Sequence, residues 1–375
     1  MRNNDCSIYI DGLFYKGAGI GRYYESLFKG LAKKGMKIYT CVPVEFKKDF
    51  ELDFKQYFKN IIPIYVNYKK FSVKGFWKQG KILKKLEKEV SVFHFPHINL
   101  PFYVPGNLVV TIHDLRPFTE FWDRSYFKRK VFEWYFKRAI KNTKKIITIS
   151  ESSKKEIINI YPAYDAKIRV IYGFVDEKFL RIKDYHNKER IIKDDYILFV
   201  GNRKKHKNLS RLILAFNQVK NKFPNLKLVI AGKKDSKIDE VDLLKNKLNL
   251  KEKIIETISP ADEEIINLYK HAKAFIFPSL YEGFGLPPLE AMAIGTPVLA
   301  SDIPVLKEVY DNAVYFFNPY DVEDIAKAIC KVVTNESLRR SLIEKGKERV
   351  KFFDFENVIN QYIKLYKEIL TKNQT

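Results

Sequence analysis

Residues 274–301 have the sequence AFIFPSLYEGFGLPPLEAMAIGTPVLAS. The apolar runs AFIF and PVLAS, each bounded by turn residues, predict two short buried strands. Pro287 and Pro288 suit the first turn of a helix, which Gly295 is expected to end. A strand, a glycine-rich loop, a helix and a second strand form one βαβ unit. We therefore predict an α/β fold with a ligand-binding loop at the carboxyl end of the first strand.

The loop between the first strand and the helix combines groups that suit two different parts of a ligand. Gly283 and Gly285 let the backbone approach a ligand closely. The amides of Gly285 and Leu286 lie at a helix N-terminus, which suits a phosphate. Glu282 and Glu290 instead suit the hydroxyl groups of a ribose or a hexose. Together these groups predict a sugar-nucleotide site, with ordinary surface carboxylates as the alternative.

The longer stretch 278–309, PSLYEGFGLPPLEAMAIGTPVLASDIPVLKEV, resembles the donor-binding signature of the retaining glycosyltransferases of family 4, which have the GT-B fold. The hallmark of that signature is a pair of glutamates separated by seven residues, here Glu282 and Glu290. The resemblance implies two Rossmann-like, doubly wound domains facing a central cleft. It also implies that Glu290 holds the ribose and that Glu282 holds the donor sugar near its C1. The donor site would further include Gly283, Phe284, Gly285 and Leu286.

The length of 375 residues exceeds what one hydrophobic core usually supports, so we predict two domains. The first domain, residues 1–180, would bind the acceptor, and the second, residues 195–354, would bind the nucleotide sugar. The polar, irregular span between them is expected to be a linker. The amphipathic C-terminal helix, about 355–375, is expected to cross back and pack on the first domain.

The predicted first domain contains two candidate site segments. Its first strand is followed by the glycine-rich turn GAGIG at residues 17–21, which alone is not a dinucleotide fingerprint. In the resembled family such a loop borders the donor and the acceptor, which implies a role for Gly19 and Gly21 in donor binding. His113 and Asp114 directly follow the strand LVVTI, at a strand end where α/β folds build sites. The resemblance implies that this pair faces the donor sugar.

A basic loop, GNRKKHKN, follows the strand YILFV that opens the predicted second domain. Gly201 and the cations after it, next to a helix N-terminus, predict a phosphate site rather than a merely solvated loop. The resemblance assigns diphosphate binding to Arg203 and Lys207. Lys207 is the better match, because the offset of the arginine after the glycine varies in the family. The resemblance also places the strand end near Ser259 against the nucleobase.

Histidines and cysteines do not indicate a metal site or disulfides. His94, His97 and His113 lie close in sequence but lack the spacing of a closed ligand set, so we expect two of the three to be structural. The three cysteines are scattered and suit buried, reduced thiols. No D-x-D sequence precedes a plausible metal site. We therefore expect no metal and no cofactor beyond the nucleotide-diphosphate sugar itself.

The formal net charge is +23, and most of it lies in residues 1–180. This indicates an acidic partner such as a nucleic acid, an anionic lipid or a phosphate-bearing substrate, unless the lysines only solvate the protein. The basic amphipathic segment within residues 46–90 is either a membrane-surface element or, as we favour, an ordinary helix packed on the sheet. We likewise expect the aromatic stripe of the helix at 121–142 to be core. Its members are Phe127, Val131, Trp134 and Tyr135.

The sequence also bears on location. No apolar run approaches the length of a membrane span. The start MRNNDCSIYIDG lacks the apolar region of a signal peptide. We expect a cytoplasmic protein that associates peripherally with the inner face of an anionic membrane.

We therefore predict a retaining, metal-independent hexosyltransferase. It would use a nucleotide-diphosphate sugar, of the GDP-mannose type or a UDP-sugar, and a lipid-linked or polysaccharide acceptor in cell-surface glycan synthesis. Its catalytic residues would be His113, Asp114, Glu282, Arg203 and Lys207.

The cations, with the amides of Gly285 and Leu286, would stabilise the charge on the leaving diphosphate. A front-face displacement is implied by the resemblance, since no carboxylate nucleophile can be identified. The alternatives are a sugar-nucleotide epimerase or phosphorylase of the same fold, and a basic nucleic-acid-binding protein. The last would account for the charge but not for the two glutamates, so we expect no nucleic-acid partner.

Overall fold

The computed structural model describes residues 6–17, 19–122, 125–180, 189–234 and 238–371. The chain divides into two compact units. Unit 1 comprises Met1–Gly173 together with Phe355–Thr375, and unit 2 comprises Phe174–Asp354. Each unit contains one parallel sheet flanked by helices, so the predicted α/β architecture of two doubly wound domains is confirmed.

Unit 1 is built on a seven-stranded sheet in the order β3-β2-β1-β4-β5-β6-β7. The sequences of β4 and β5, VFHF and LVVTI, are buried at every position, which is typical of parallel strands covered on both faces. The strand order reverses between β1 and β4, so the loops after these strands lie at the switch point. The strands are β1 (Ser7–Ile10), β2 (Lys37–Pro43), β3 (Ile61–Val66), β4 (Val92–Phe95), β5 (Leu108–Ile112), β6 (Lys145–Thr148) and β7 (Ile168–Val170).

The helices that flank this sheet alternate with its strands. Ser150 caps α5, since its Oγ accepts a hydrogen bond from the Ser153 amide at 3.0 Å. The helices are α1 (Gly19–Lys33), α2 (Lys47–Asp53), α3 (Val73–Leu86), α4 (Tyr126–Asn142) and α5 (Glu151–Ile160).

Unit 2 repeats this plan with a six-stranded sheet in the order β10-β9-β8-β11-β12-β13. Its switch point lies between β8 and β11. The strands are β8 (Tyr196–Val200), β9 (Lys227–Gly232), β10 (Ile254–Ile258), β11 (Ala274–Phe277), β12 (Val298–Ser301) and β13 (Tyr315–Phe317). The helices are α6 (Glu177–Leu180), α7 (Leu209–Val219), α8 (Glu240–Lys247), α9 (Asp262–His271), α10 (Leu286–Ile294), α11 (Pro304–Tyr310), α12 (Val322–Thr334) and α13 (Glu336–Val350).

The stretch 274–301 has the structure that its sequence indicates. It forms β11, α10 and β12, and Gly295 ends the helix in the left-handed conformation, with a φ of 90°. No helix within the described ranges is long and apolar enough to cross a membrane.

The chain leaves unit 1 earlier than the sequence analysis placed the boundary. The division falls after residue 173 and not after 180, because α6 packs in unit 2, where the Phe179 ring lies 6.3 Å from that of Tyr269. Residues 181–188 of the expected linker lie outside the described residues. The last helix, α14 (Phe355–Thr371), belongs to unit 1, and the hydroxyls of Tyr23 and Tyr362 lie 2.5 Å apart there.

The aromatic stripe of α4 is not core, which corrects the expectation from its sequence. Phe127 is 75% exposed and Trp134 53%, and Val131 is also exposed. The reason is that α4 turns another face inward and buries Phe136, Ala139 and Ile140 instead. On α3 the predicted packing is largely confirmed. Phe76, Leu83 and Leu86 are buried there, while Trp77 points to solvent.

A buried histidine connects the sheet of unit 1 to α14. The Nδ1 of His94, on β4, lies 2.7 Å from the hydroxyl of Tyr366, and its Nε2 lies 2.8 Å from Thr111 Oγ1. Burial, with a smaller effect of the His113 and His97 rings, lowers the pKa of His94 to about 3. The ring is therefore neutral in the folded protein throughout the physiological range.

This burial predicts a pH-dependent stability. Because the folded pKa of His94 lies below the ordinary value of about 6.5, the unfolded state takes up a proton first as the pH falls. The contribution of His94 to the free energy of unfolding should be complete above pH 6.5 and decrease by about 1.4 kcal/mol per pH unit below it. Urea unfolding at pH 7.5, 6 and 5, followed by tryptophan fluorescence, measures this.

The three tryptophans, Trp77, Trp122 and Trp134, all lie in unit 1 and report on it alone. His94→Gln should reduce the pH dependence of the free energy of unfolding. The control His271→Gln in unit 2 should leave that dependence unchanged. Parallel pH dependences for wild type and His94→Gln would contradict the assignment.

Candidate active site

The loops that follow β8 and β11 are hydrogen-bonded to each other at the switch point of the unit 2 sheet. The Leu280 amide donates to the His206 carbonyl at 2.8 Å. The Asn208 side chain donates to the carbonyls of Pro278, at 3.0 Å, and Pro319, at 2.7 Å. The two loops therefore hold a fixed relative position where an α/β sheet of this order binds its ligand.

Lys207 and Glu282 form an ion pair between these loops. The Lys207 Nζ lies 2.5 Å from Glu282 Oε1 and 5.0 Å from the centre of the Phe277 ring. The two charged side chains are mostly buried, with 12% and 13% of their surface exposed. Attraction between such poorly solvated charges is stronger than on an open surface. The ammonium group is thus held in place before any ligand arrives.

The N-terminus of α10 lies in the same loop. Gly285 precedes the helix with a φ of 91°, and a Cβ there would lie 2.1 Å from the Tyr310 hydroxyl oxygen. Pro287 and Pro288 have no N–H, so the first-turn amides of this helix end are those before them, at Gly285 and Leu286. These are the amides that the sequence analysis assigned to a phosphate, and the helix dipole favours an anion there.

Two buried tyrosines support this loop. The Tyr310 hydroxyl donates to the Gly285 carbonyl at 2.7 Å. Burial, together with the carboxylates of Glu282 and Glu290, raises the pKa of Tyr310 well above its ordinary value, so the hydroxyl stays protonated. The Tyr269 hydroxyl donates to Oε2 of the buried Glu290 at 3.2 Å. The sequence analysis missed both tyrosines, because they come from other helices and their local sequence carries no signal.

Arg203 has two carboxylate partners of its own, Asp239 and Glu256. Its guanidinium lies 3.1 Å from Asp239 Oδ2 and 2.6 Å from Glu256 Oε2, and only 3% of its side chain is exposed. Lys245 contacts Glu256 as well. Burial acts to raise the pKa of Glu256, but the hydrogen bonds from Lys245 and Arg203 outweigh it and lower that pKa. A role of Arg203 in diphosphate binding stays a prediction.

The other donor residues predicted in unit 2 also lie in loops. Gly201 follows β8, and its amide donates to the Ala231 carbonyl at 2.9 Å. Gly283 lies in the β11–α10 loop, and Ser259 follows β10, the outer strand of the sheet. The Phe284 ring is buried 5.4 Å from that of Phe353, so it supports the loop and can contribute only its backbone to a donor site.

His113 and Asp114 lie in unit 1, after β5. The His113 Nε2 donates to the Pro96 carbonyl at 2.9 Å. Burial lowers the pKa of His113, so the ring is neutral and its Nδ1 has the lone pair of an acceptor. Asp114 Oδ1 accepts a hydrogen bond from the Arg116 amide at 3.0 Å.

Of the glycine-rich turn, Gly17, Gly19 and Gly21 are described, and Ala18, between the first two of these glycines, lies outside the described residues. Gly19 opens α1 and is exposed. Gly21 is buried, and a Cβ there would lie 2.6 Å from the Phe14 carbonyl oxygen. Packing therefore excludes a side chain at Gly21 but not at Gly19. At Gly17 a Cβ would likewise lie 2.6 Å from the Phe14 carbonyl oxygen.

The described parts of the chain hold no group of three or more His, Cys, Asp or Glu side chains that could bind a metal ion. His97 donates from Nε2 to the buried Asp11 at 2.7 Å, since its Nδ1 accepts from the Asn99 amide. Cys6 and Cys41 are buried and Cys330 is half-buried, and all three are thiols.

Comparison with known proteins identifies the family of the chain. Residues 181–349 match the family described as Glycosyl transferases group 1, and residues 17–179 match Glycosyltransferase Family 4. The chain is 33% identical over 252 residues to the O-antigen chain mannosyltransferase RfbU of Salmonella typhimurium. The aligned region covers 67% of each chain. It is 29% identical over 290 residues to O-antigen chain mannosyltransferase B of Escherichia coli, which covers 74% of each.

The chain belongs to the family 4 (group 1) glycosyltransferases. Solved structures confirm the GT-B fold of this glycosyltransferase. Sucrose-phosphate synthase of Thermosynechococcus elongatus is 19% identical with a TM-score of 0.77, over 98% of this chain and 100% of that one. HepE of Anabaena, solved with UDP and glucose, is 15% identical with a TM-score of 0.74, over 97% of this chain and 100% of the HepE chain.

The glycosyltransferase provides a matched pair of glycines to test the loop. Gly295, with a φ of 90°, is left-handed like Gly285, but a Cβ there would meet nothing nearer than 3.8 Å. Gly295→Ala should cost about 1–2 kcal/mol of unfolding free energy, for the left-handed conformation alone. Gly285→Ala should cost about 1–3 kcal/mol more, for the overlap with the Tyr310 hydroxyl. Urea denaturation of both variants measures the difference.

A third variant makes this test specific. Tyr310→Phe removes the overlapping atom, after which the nearest neighbour of an added Cβ is Leu306 at 3.1 Å. It should therefore destabilise the wild type but be neutral or stabilising in the Gly285→Ala background. Additive losses in the double variant would show that Tyr310 does not shape this loop.

Proposed function

We propose that this glycosyltransferase transfers a hexose from a nucleotide-diphosphate sugar, of the GDP-mannose type or a UDP-sugar, to a lipid-linked or polysaccharide acceptor in cell-surface glycan synthesis. Its relatives RfbU and mannosyltransferase B are O-antigen chain enzymes, which supports the substrate classes. The structural neighbour HepE is solved with UDP and glucose, which supports a nucleotide-sugar donor.

The observation that carries the proposal is the Lys207–Glu282 pair beside the N-terminus of α10. Breaking the bond between sugar C1 and the diphosphate leaves negative charge on a phosphate oxygen. An ammonium group fixed by a carboxylate and a ring, with the Leu286 amide and the helix dipole near it, stabilises such charge without moving. The ammonium has three donors, so it can keep Glu282 while it binds a phosphate.

Two carboxylates, Glu290 and Glu282, can bind the remaining parts of the donor, which are the ribose and the transferred sugar. Glu290 is buried and held by Tyr269, which suits a fixed acceptor for the ribose hydroxyls. Glu282 contacts Lys207 through Oε1, and a carboxylate offers further acceptor sites, so it can accept hydrogen bonds from hydroxyls of the transferred sugar. His113 of unit 1 is neutral and has an acceptor nitrogen, and its role towards the sugar stays a prediction.

We further propose retention of configuration without a metal ion. The C1–O bond to the diphosphate breaks while a C1–O bond to the acceptor forms on the same face of the sugar. The acceptor hydroxyl gives its proton to the departing phosphate oxygen, so no protein base is required. Lys207 supplies the positive charge that a divalent cation supplies in other transferases.

The experiment begins with the donor. Among UDP- and GDP-sugars, the donor is the compound that raises the melting temperature most, because binding to the native state stabilises it. With that donor, Lys207→Ala should lower kcat/KM by about two to three orders of magnitude. Lys205→Ala, an exposed cation of the same loop, is the control and should leave kcat/KM unchanged. A folded Lys207→Ala enzyme with near wild-type rates would refute the proposal.

Substitutions of the two glutamates should affect the binding of different ligands. Glu290→Gln should weaken binding of the free nucleoside diphosphate and of the full donor equally, because both ligands carry the ribose. Glu282→Gln should leave binding of the free diphosphate unchanged and weaken binding of the sugar nucleotide. Calorimetry of each variant with each ligand measures this, and identical losses in all four titrations would contradict the division of roles.

A further inference from the structure

Unit 1 exposes large apolar side chains that its core does not use. They lie on α3 and the residues before it, on the loop 98–104, and on α4. We call this surface the aromatic–basic face and define it by Phe71, Trp77, Phe102, Phe127, Val131 and Trp134. Each of the aromatic members is more than half exposed. Soluble proteins rarely leave so many large apolar groups together in water without a use for them.

Ring contacts show that the three segments form one surface. The Tyr135 ring of α4 lies 5.7 Å from Phe71 and 5.7 Å from Phe76 of α3. Phe76 lies 5.6 Å from Phe102 of the loop, and Trp134 lies 4.9 Å from Tyr135. The exposed rings are therefore set on a continuous layer of buried and half-buried ones.

Arg138 fixes the loop to α4. Its guanidinium donates to the carbonyls of Leu100, at 2.8 Å, and Phe102, at 3.1 Å, and lies 5.9 Å from the Trp134 ring. One guanidinium thus contacts both the Phe102 backbone and the Trp134 ring. The face is built in advance and needs no ordering when a partner binds, which lowers the cost of association.

The same helices are strongly basic. The sequence of α3, VKGFWKQGKILKKL, has five lysines and no acidic residue. The sequence of α4, YFKRKVFEWYFKRAIKN, has six basic residues and one acidic residue. Lys81 Nζ lies 3.5 Å from the centre of the Trp77 ring, so cations and exposed rings are interleaved.

This combination matches an anionic bilayer better than other partners. Tryptophan and phenylalanine are favoured where apolar chains meet headgroups, and lysine stems can lie along them with the ammonium in the headgroup layer. Each basic residue gains from the negative surface potential. A second copy of the chain would bring two sets of these lysines together and be repelled. A nucleic acid would leave the aliphatic Val131 and the edge of α4 without a base to contact.

We propose that the aromatic–basic face docks unit 1 on an anionic lipid bilayer, with Trp77, Phe102, Phe127 and Trp134 in the headgroup layer and the lysines of α3 and α4 against the lipid phosphates. This goes beyond the transfer reaction and depends on neither the donor nor the catalytic residues. It supplies the enzyme with a way to meet a lipid-linked acceptor, whose glycan end lies within reach of the surface.

The test uses the full chain with vesicles of phosphatidylglycerol and phosphatidylcholine, and with vesicles of phosphatidylcholine alone, at low and physiological salt. The protein should bind the anionic vesicles, less tightly at higher salt. The emission of Trp77 and Trp134 should shift to shorter wavelength as their rings leave water. The double variant Phe102→Ala/Phe127→Ala keeps every tryptophan as a reporter and should bind at least about tenfold more weakly.

The matched control is Leu243→Ala/Phe352→Ala, which removes two similarly exposed side chains from unit 2 and should bind like wild type. Both double variants should show wild-type thermal shifts with the donor nucleotide, which separates docking from the proposed function. Absence of binding to anionic vesicles overturns the proposal, and so does equal binding by the two double variants. It is also overturned if sedimentation without lipid shows a dimer that only Phe102→Ala/Phe127→Ala disrupts, or if RNA competes fully with the vesicles.

Discussion

The structure of the candidate site depends on the contact between Lys207 and Glu282. These side chains belong to loops after different strands, and they meet because parallel strands β8 and β11 are neighbours at the point where the strand order reverses. A lysine alone in this loop would be a flexible, hydrated charge. Paired with a carboxylate and packed on the Phe277 ring, it becomes a fixed positive charge beside a helix N-terminus. Removing the charge of either partner leaves the other charge poorly solvated.

The backbone around this pair is equally constrained. Gly285 must be left-handed for the chain to turn into α10, and Tyr310 occupies the space where a side chain would go. The Asn208 amide holds two other loops, through the carbonyls of Pro278 after β11 and Pro319 after β13. None of these groups reacts in the proposed mechanism. They act as positioning residues, and their buried hydrogen bonds allow the ammonium group and the amides to be in place before the donor binds.

The sequence predicted the parts of the fold that local patterns determine. The strands and helix of 274–301 followed from apolar runs, two prolines and two glycines, and the loop chemistry followed from residue types in one stretch. Local patterns could not predict which residues from distant parts of the chain contact each other. Arg203 lies in the same basic loop as Lys207, and nothing in that stretch of sequence indicates its ion pairs with Asp239 and Glu256. The stripe on α4 looked like core because spacing shows which side chains share a face but not which face points inward. Tyr269 and Tyr310 gave no signal at all.

The central claim is that the diphosphate of the donor binds at the Lys207 ammonium group and the N-terminus of α10. A crystal structure of the enzyme with its nucleotide-diphosphate sugar tests this most directly. The account predicts phosphate oxygens within about 3 Å of the Lys207 Nζ and the Leu286 amide, with the ribose hydroxyls on Glu290. A donor bound with its diphosphate away from both groups, and the Lys207–Glu282 pair undisturbed, would contradict it.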